Sequence, residues 1–149
     1  MQVVPGNFCA CALFHETYIS MKNTSHPHFM VTGGAGFLGR YVVAKLRKRF
    51  PGATITVVDR QSYFAPGVEF VRADISEESV VRPLLRQCDG VFHLAAIVGV
   101  DAWRNRPDEV ERVNLKDTKD FIDWCAKERV KKFFFASSFE VYGDSPDAL

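Results

Sequence analysis

A doubly wound α/β fold built on a parallel sheet is what this sequence predicts, and three observations carry the prediction. Short apolar strands alternate with helical patterns, a glycine-rich turn joins the first strand to the first helix, and an acidic residue closes the second strand. The 149 residues suffice for one domain of ordinary size. Hydrophobic residues make up 47% and charged residues 25%, a composition that supports a packed core rather than a disordered chain.

Phe29, Met30 and Val31 form the first strand, which runs into the turn Gly33-Gly34-Ala35-Gly36. A helix follows, with Val42, Val43, Leu46 and Phe50 on its apolar face and Arg47, Lys48 and Arg49 at the end where the dipole favours cations. Pro51-Gly52 stops it. Residues 54–59 (TITVVD) and 68–73 (VEFVRA) read as the second and third strands. Ser76 is the expected N-cap of a helix with Val80, Val81, Leu84, Leu85 and Cys88 on its apolar face. Pro83 lacks a donor N–H and so predicts either a kink or a later start. Residues 91–96 (VFHLAA) read as a fourth strand, continuously apolar as in a sheet covered on both faces.

Pro107 precedes a long predicted helix over 108–128, with Val110, Val113, Phe121, Ile122 and Cys125 on its buried side. Its wet side pairs Lys116 with Asp120 and Asp123 with Lys127. Residues 131–137 (KKFFFAS) form the fifth strand, after which few residues remain. The expected organisation is therefore a poorly ordered extension over 1–25 and one α/β domain over 26–149, a sheet truncated after about five strands. The extension holds an apolar patch from Phe8 to Phe14, but no Lys or Arg precedes it and Pro5-Gly6 interrupts the approach, so it is not read as a secretion signal.

Several function classes are excluded at this stage. Nineteen Lys and Arg against eighteen Asp and Glu leave a net charge of +1, which argues against nucleic acid and anionic membranes as partners. No apolar run reaches the roughly 18 residues of a membrane span. Cys9, Cys11, Cys88 and Cys125 form no disulfide framework and no metal-ligand spacing, and His26 and His28 have no companion ligands, so no metal site is expected and a reducing, cytoplasmic location is.

The glycine turn is the chemical centre of the sequence. Gly33, Gly36 and Gly39 stand where a strand becomes a helix, so backbone N–H groups at the positive end of the helix dipole can approach a pyrophosphate. Asp59 follows Gly39 by twenty positions. It is read either as a plain strand terminus or as the acceptor for both ribose hydroxyls of an adenosine, with a charge that repels a 2′-phosphate; the second reading favours NAD over NADP. Arg60 beside it is a group able to tolerate that phosphate.

With these residues in place, the segment from Phe29 to Asp144 resembles the extended short-chain dehydrogenase/reductases, especially the NAD-dependent epimerases and dehydratases of nucleotide sugars. Thr32 to Gly39 (TGGAGFLG) is similar to their TGxxGxxG loop, with Phe37 and Leu38 inside it, and Asp74-Ile75 is similar to their adenine-contacting pair. His93-Leu94-Ala95-Ala96 resembles the segment lining the nicotinamide-ribose side, and residues 137–143 (SSFEVYG) resemble the active-site segment. Asp74 also reads as a solvated residue leading a helix, and His93 as a core histidine satisfied by backbone.

The resemblance implies a Rossmann-like domain that binds NAD, a nucleotide-sugar substrate, and a homodimer formed through the helix over 108–128. It implies that Ser138 hydrogen-bonds the reacting hydroxyl or carbonyl and that Asn114 belongs to the cofactor side; Tyr142 is not the catalytic tyrosine. In Asn114 to Thr118 (NLKDT) the family's glycine is replaced by Asp117, whose bulk and charge oppose close packing of that helix on the sheet.

The family acts through a Tyr-x-x-x-Lys pair some two dozen residues beyond the serine, in which the lysine lowers the tyrosine pKa. Eleven residues follow Ser138, and the spacings Tyr18 with Lys22 and Tyr41 with Lys45 fall in the wrong elements. The expectation is an N-terminal cofactor-binding portion that is inactive alone. A non-catalytic NAD-binding sensor or interaction module, and a fragment of a 3β-hydroxysteroid-dehydrogenase-like enzyme, are the alternatives.

Overall fold

A computed structural model of the chain describes residues 26–138 and Val141. The expected extension over 1–25 and most of the segment after Ser138, including Tyr142, lie outside the described residues. Five parallel strands, β1 (His28–Thr32), β2 (Thr54–Asp59), β3 (Glu69–Arg72), β4 (Gly90–His93) and β5 (Lys132–Phe135), pair in the order β3-β2-β1-β4-β5. The order reverses between β1 and β4, which leaves a crevice at their carboxyl ends.

Period-two alternation on buried strands gives each face of the sheet its own core. Phe29, Val31, Ile55 and Val57 meet Val43 and Leu46 of helix α1 (Phe37–Arg49). Met30, Val58 and Val91 meet Val81 and Leu85 of α2 (Glu78–Leu85), and Phe121, Trp124 and Cys125 of α5 (Thr118–Lys127). Two helical pieces before α5, α3 (Val100–Asn105) and α4 (Pro107–Glu111), connect to it through a π-helical turn, Arg112–Asp117.

The structure revises several expectations. Helix α2 starts at Glu78, because Ser76 gives both its N–H and its hydroxyl to Asp74 Oδ1 (3.0 and 2.9 Å) instead of capping the helix. The later start also accommodates Pro83, whose missing bond falls to the carbonyl of exposed Ser79, within reach of water. Strand β4 stops at His93 rather than Ala96. Its partner β1 ends at Thr32, opposite His93, and Gly33 turns away at φ +70°. Strand β5 ends at Phe135, and α3 had no counterpart in the sequence reading.

The expected long helix is the broken run α4, π turn and α5. Trp124 is buried while Ile122 is exposed, since Phe121 holds the face and Ile122 lies one helical step round from it. Lys116 pairs with Asp120 as expected, but Asp123 takes Lys119 (2.8 Å) rather than Lys127 as its hydrogen-bonded partner. Asp117 does not lift the helix off the sheet. It is buried, ion-paired with Arg112, and the backbone widens into the π turn around it.

Cys88 and Cys125 are buried free thiols, and loss of solvation pushes both up to about 12, with the neighbouring Cys125 adding to the shift of Cys88. Peptide mapping after iodoacetamide treatment at pH 8 is expected to find both unmodified in the folded chain and modified in urea. Labelling of either at the rate of an unfolded peptide would contradict this burial.

Candidate cofactor cleft

The crevice beside β1 is a cleft of about 230 Å³. Gly33 and Gly36 form its floor; Asp59 and Arg60 close one side, Asp74 and Ile75 the end; Leu94, Ala95 and Ala96 form the opposite wall. Nine of the residues singled out in the sequence are thus brought together by the ends of four strands.

The glycines of the loop differ in what they permit. A Cβ on Gly33 would lie 2.7 Å from the Ala95 nitrogen, and one on Gly39 would collide with the Gly33 carbonyl oxygen and lie 2.5 Å from Gly34 Cα. Both are required for the turn to pack. At Gly36 the backbone is extended (φ −69°, ψ 172°) and an added Cβ would meet only the Gly33 carbonyl oxygen, at 3.2 Å. Space therefore lies above Gly36 for a ligand.

Gly36 caps α1 without a side-chain bond, so the N–H groups of Phe37 and Leu38 head the helix with no intrahelical acceptor. Their side chains are exposed, and any contact to an anion belongs to the backbone. A dinucleotide fits this donor set: amides at a helix start for the pyrophosphate, and a carboxylate for the ribose.

Asp59 is fixed in place by Ala35 N–H on Oδ2 (2.9 Å) and Gln61 N–H on Oδ1 (2.8 Å), which ties the end of β2 to the glycine turn. Partial burial pushes the Asp74 carboxyl up. The two bonds from Ser76 and the charges of Arg60 and Arg112 outweigh it, so Asp74 sits below its ordinary value and is ionised. Arg60 is engaged by two carboxylates, Asp74 Oδ2 at 3.6 Å and Glu109 Oε1 at 3.7 Å.

Asn114 does not project into the cleft wall. Its amide brackets Ile97, accepting the Ile97 N–H and donating to the Ile97 carbonyl, both at 2.8 Å, and so holds the chain that leaves β4. Val113 is buried, as expected, and also lines the cleft, a role that its place in the apolar pattern does not reveal. Ser138 lies beyond β5 on an exposed run and is not part of the cleft wall.

His93 is not among the residues that line the cleft, and its ring is satisfied by side-chain hydroxyls rather than by backbone. It is buried among the rings of Phe121, Phe133 and Phe135 and bonded to two hydroxyls, Thr32 Oγ1 at Nδ1 (2.8 Å) and Thr118 Oγ1 at Nε2 (3.2 Å). Thr118 spends its proton on the Val113 carbonyl (3.0 Å), so Nε2 must carry the imidazole hydrogen and Nδ1 must accept from Thr32. Thr32 Oγ1 in turn accepts the Leu94 and Ala95 N–H groups, each at 3.3 Å. Desolvation lowers His93 to about 4, in keeping with a neutral ring. The result is a directed chain of hydrogen bonds from the cleft wall through β1 and β4 to the π turn.

Residues 29–148 match the sequence profile of the NAD dependent epimerase/dehydratase family. The chain belongs to that family. Among family relatives, the dTDP-glucose 4,6-dehydratase of Streptomyces antibioticus is 36% identical over 129 residues, covering 78% of this chain and 38% of that protein. A UDP-N-acetyl-alpha-D-glucosaminuronate decarboxylase of Bacillus cytotoxicus is 34% identical over 122 residues, covering 76% and 37%. The chain thus spans about two fifths of the length of these curated relatives. Among solved structures of the family, MoeE5 in complex with UDP-glucose and NAD superposes with a TM-score of 0.71 at 31% identity, covering 80% of this chain and 39% of that one. The Thermotoga maritima UDP-glucose 4-epimerase with UDP-glucose gives 0.72 at 30%, covering 79% and 40%. The five-stranded Rossmann-like sheet is therefore the family's own fold.

Proposed function

We propose that this chain binds NAD as the cofactor portion of an oxidoreductase acting on nucleotide sugars. The observation that carries this reading is the cleft itself: a helix start with no side-chain cap, room above Gly36, and Asp59 positioned by the same loop. In that reading the Phe37 and Leu38 amides hold the pyrophosphate, Asp59 takes the ribose hydroxyls, and Asp74-Ile75 borders the adenine. NAD, when bound, supplies a hydride acceptor for a sugar hydroxyl.

The remaining roles belong to this chain's own atoms. Ser138 orients the reacting oxygen, as the family resemblance implies. Asn114, through Ile97, fixes the wall beside the cleft. His93 takes no proton from substrate, because its Nδ1 already accepts the Thr32 hydroxyl and burial disfavours its charge.

A cytoplasmic location agrees with the two buried free thiols. Pairing of two copies through the outer face of the run Pro107–Lys127 is supported by exposed Leu115 and Ile122. Among the described residues, no helix is long and apolar enough to cross a membrane.

The test is calorimetric titration of the chain with NAD and NADP. Saturable binding of NAD, tighter than NADP, is expected. Asp59→Asn, which removes the charge while keeping an acceptor, is expected to narrow the ratio of the two dissociation constants by about tenfold to a hundredfold. No NAD binding by the unaltered chain would overturn the proposal.

A further inference from the structure

We infer that Glu109 is a specificity-determining residue of this cleft: it holds Arg60 out of reach of a 2′-phosphate, so that an arginine next to Asp59 does not open the site to NADP. The inference rests on the proposed NAD-binding reading and deepens it.

Arg60 follows Asp59 at the end of β2, the position from which a guanidinium would most easily meet a phosphate on the adenosine ribose. Its Nη1 instead lies between Asp74 Oδ2 (3.6 Å) at the end of β3 and Glu109 Oε1 (3.7 Å) on α4. Both carboxylates thus neutralise one nitrogen of the guanidinium, one from the turn after β3 and one from α4. The backbone beneath is held as well, since Arg72 Nε–H donates to the Arg60 carbonyl at 3.1 Å and the Gln61 N–H donates to Asp59.

Glu109 is aimed by its own partner. Arg106 Nη1 donates to Oε2 at 3.0 Å, which leaves Oε1 facing Arg60. Pro107 starts α4 and fixes where Glu109 projects, because its locked φ suits the first helical position. Around the 2′ position the site therefore presents Asp59, Asp74 and Glu109 against Arg60. A phosphate bound there would have to displace two carboxylates from the arginine and then remain beside three. The ribose 2′-hydroxyl of NAD carries no charge and needs no such exchange.

Arg60 is half-exposed, so the effect of the clamp is modest and graded. Glu109→Gln is expected to raise NADP affinity relative to NAD by about threefold to fivefold in calorimetric titrations at low salt. In an Arg60→Ala background the same substitution is expected to leave the ratio where Arg60→Ala alone sets it, because the clamp acts only through the guanidinium. An unchanged ratio in Glu109→Gln, or an equal shift with and without Arg60, overturns this inference while NAD binding by the unaltered chain upholds the reading of the cleft. Absence of NAD binding by the unaltered chain overturns both. Thermal melts of each variant accompany the titrations; Glu109 is only partly buried and its arginine partners are half-exposed, so all variants are expected to melt close to the parent.

Discussion

Gly36→Val is expected to abolish NAD binding while the chain keeps its circular dichroism spectrum and melts close to the parent. The backbone at Gly36 is extended, a conformation that valine adopts freely, and its Cβ meets only the Gly33 carbonyl oxygen at 3.2 Å. The two γ-methyls would then occupy the space in front of the Phe37 and Leu38 amides, where the pyrophosphate is to sit. Loss of at least about a hundredfold in affinity, or about 2.7 kcal/mol, is expected. Gly39→Ala is the contrasting variant. Its Cβ collides with backbone of Gly33 and Gly34, and such overpacking costs about 3 kcal/mol or more. That variant should lose binding and stability together. If Gly36→Val bound NAD as tightly as the parent, the glycine turn would not be where the pyrophosphate lies.

Much of this cleft is written locally in the sequence. Strand β2 emerges over 54–59 because a run of β-branched residues has no helical alternative of comparable quality, and the glycine turn is visible because three glycines at that spacing serve no ordinary helix start. What was not legible depends on residues distant in sequence. Leu94, Ala95 and Ala96 continue the apolar pattern of β4, yet they leave the sheet because β1 has already turned away at Gly33 and because Asn114 grips Ile97. Ser76 has the chemistry of an N-cap, but its N–H and its hydroxyl are both donated to Asp74 Oδ1 two residues earlier. The approach of Glu109 to Arg60 joins α4 to the residue that follows β2, which no periodicity in 107–111 records.

The neutral His93 makes a second large effect measurable, in stability rather than binding. The folded ring titrates at about 4 against an ordinary value of 6.5, because burial disfavours its charge. Between those values the unfolded chain holds a proton that the folded chain does not, so stability rises with pH across the window and this contribution is complete above 6.5. Read downward, about 2 kcal/mol is lost by pH 5 and roughly 3 kcal/mol by pH 4. Asp74 and Asp89 have folded values below the ordinary 3.8, so their stabilising contributions are present above that value and are lost only at lower pH. Asp123 and Glu128 are lowered likewise, Glu128 from 4.5, so urea unfolding at pH 7, 6 and 5 reports chiefly on the histidine. His93→Gln is expected to be less stable than the parent at pH 7, since the Thr32 and Thr118 hydroxyls lose a well-placed partner. It should also show a much shallower decline between pH 7 and 5. Parallel declines in parent and variant would mean that His93 is not the group that takes up the proton, and the directed chain from Thr32 to Thr118 would have to be redrawn with a charged ring.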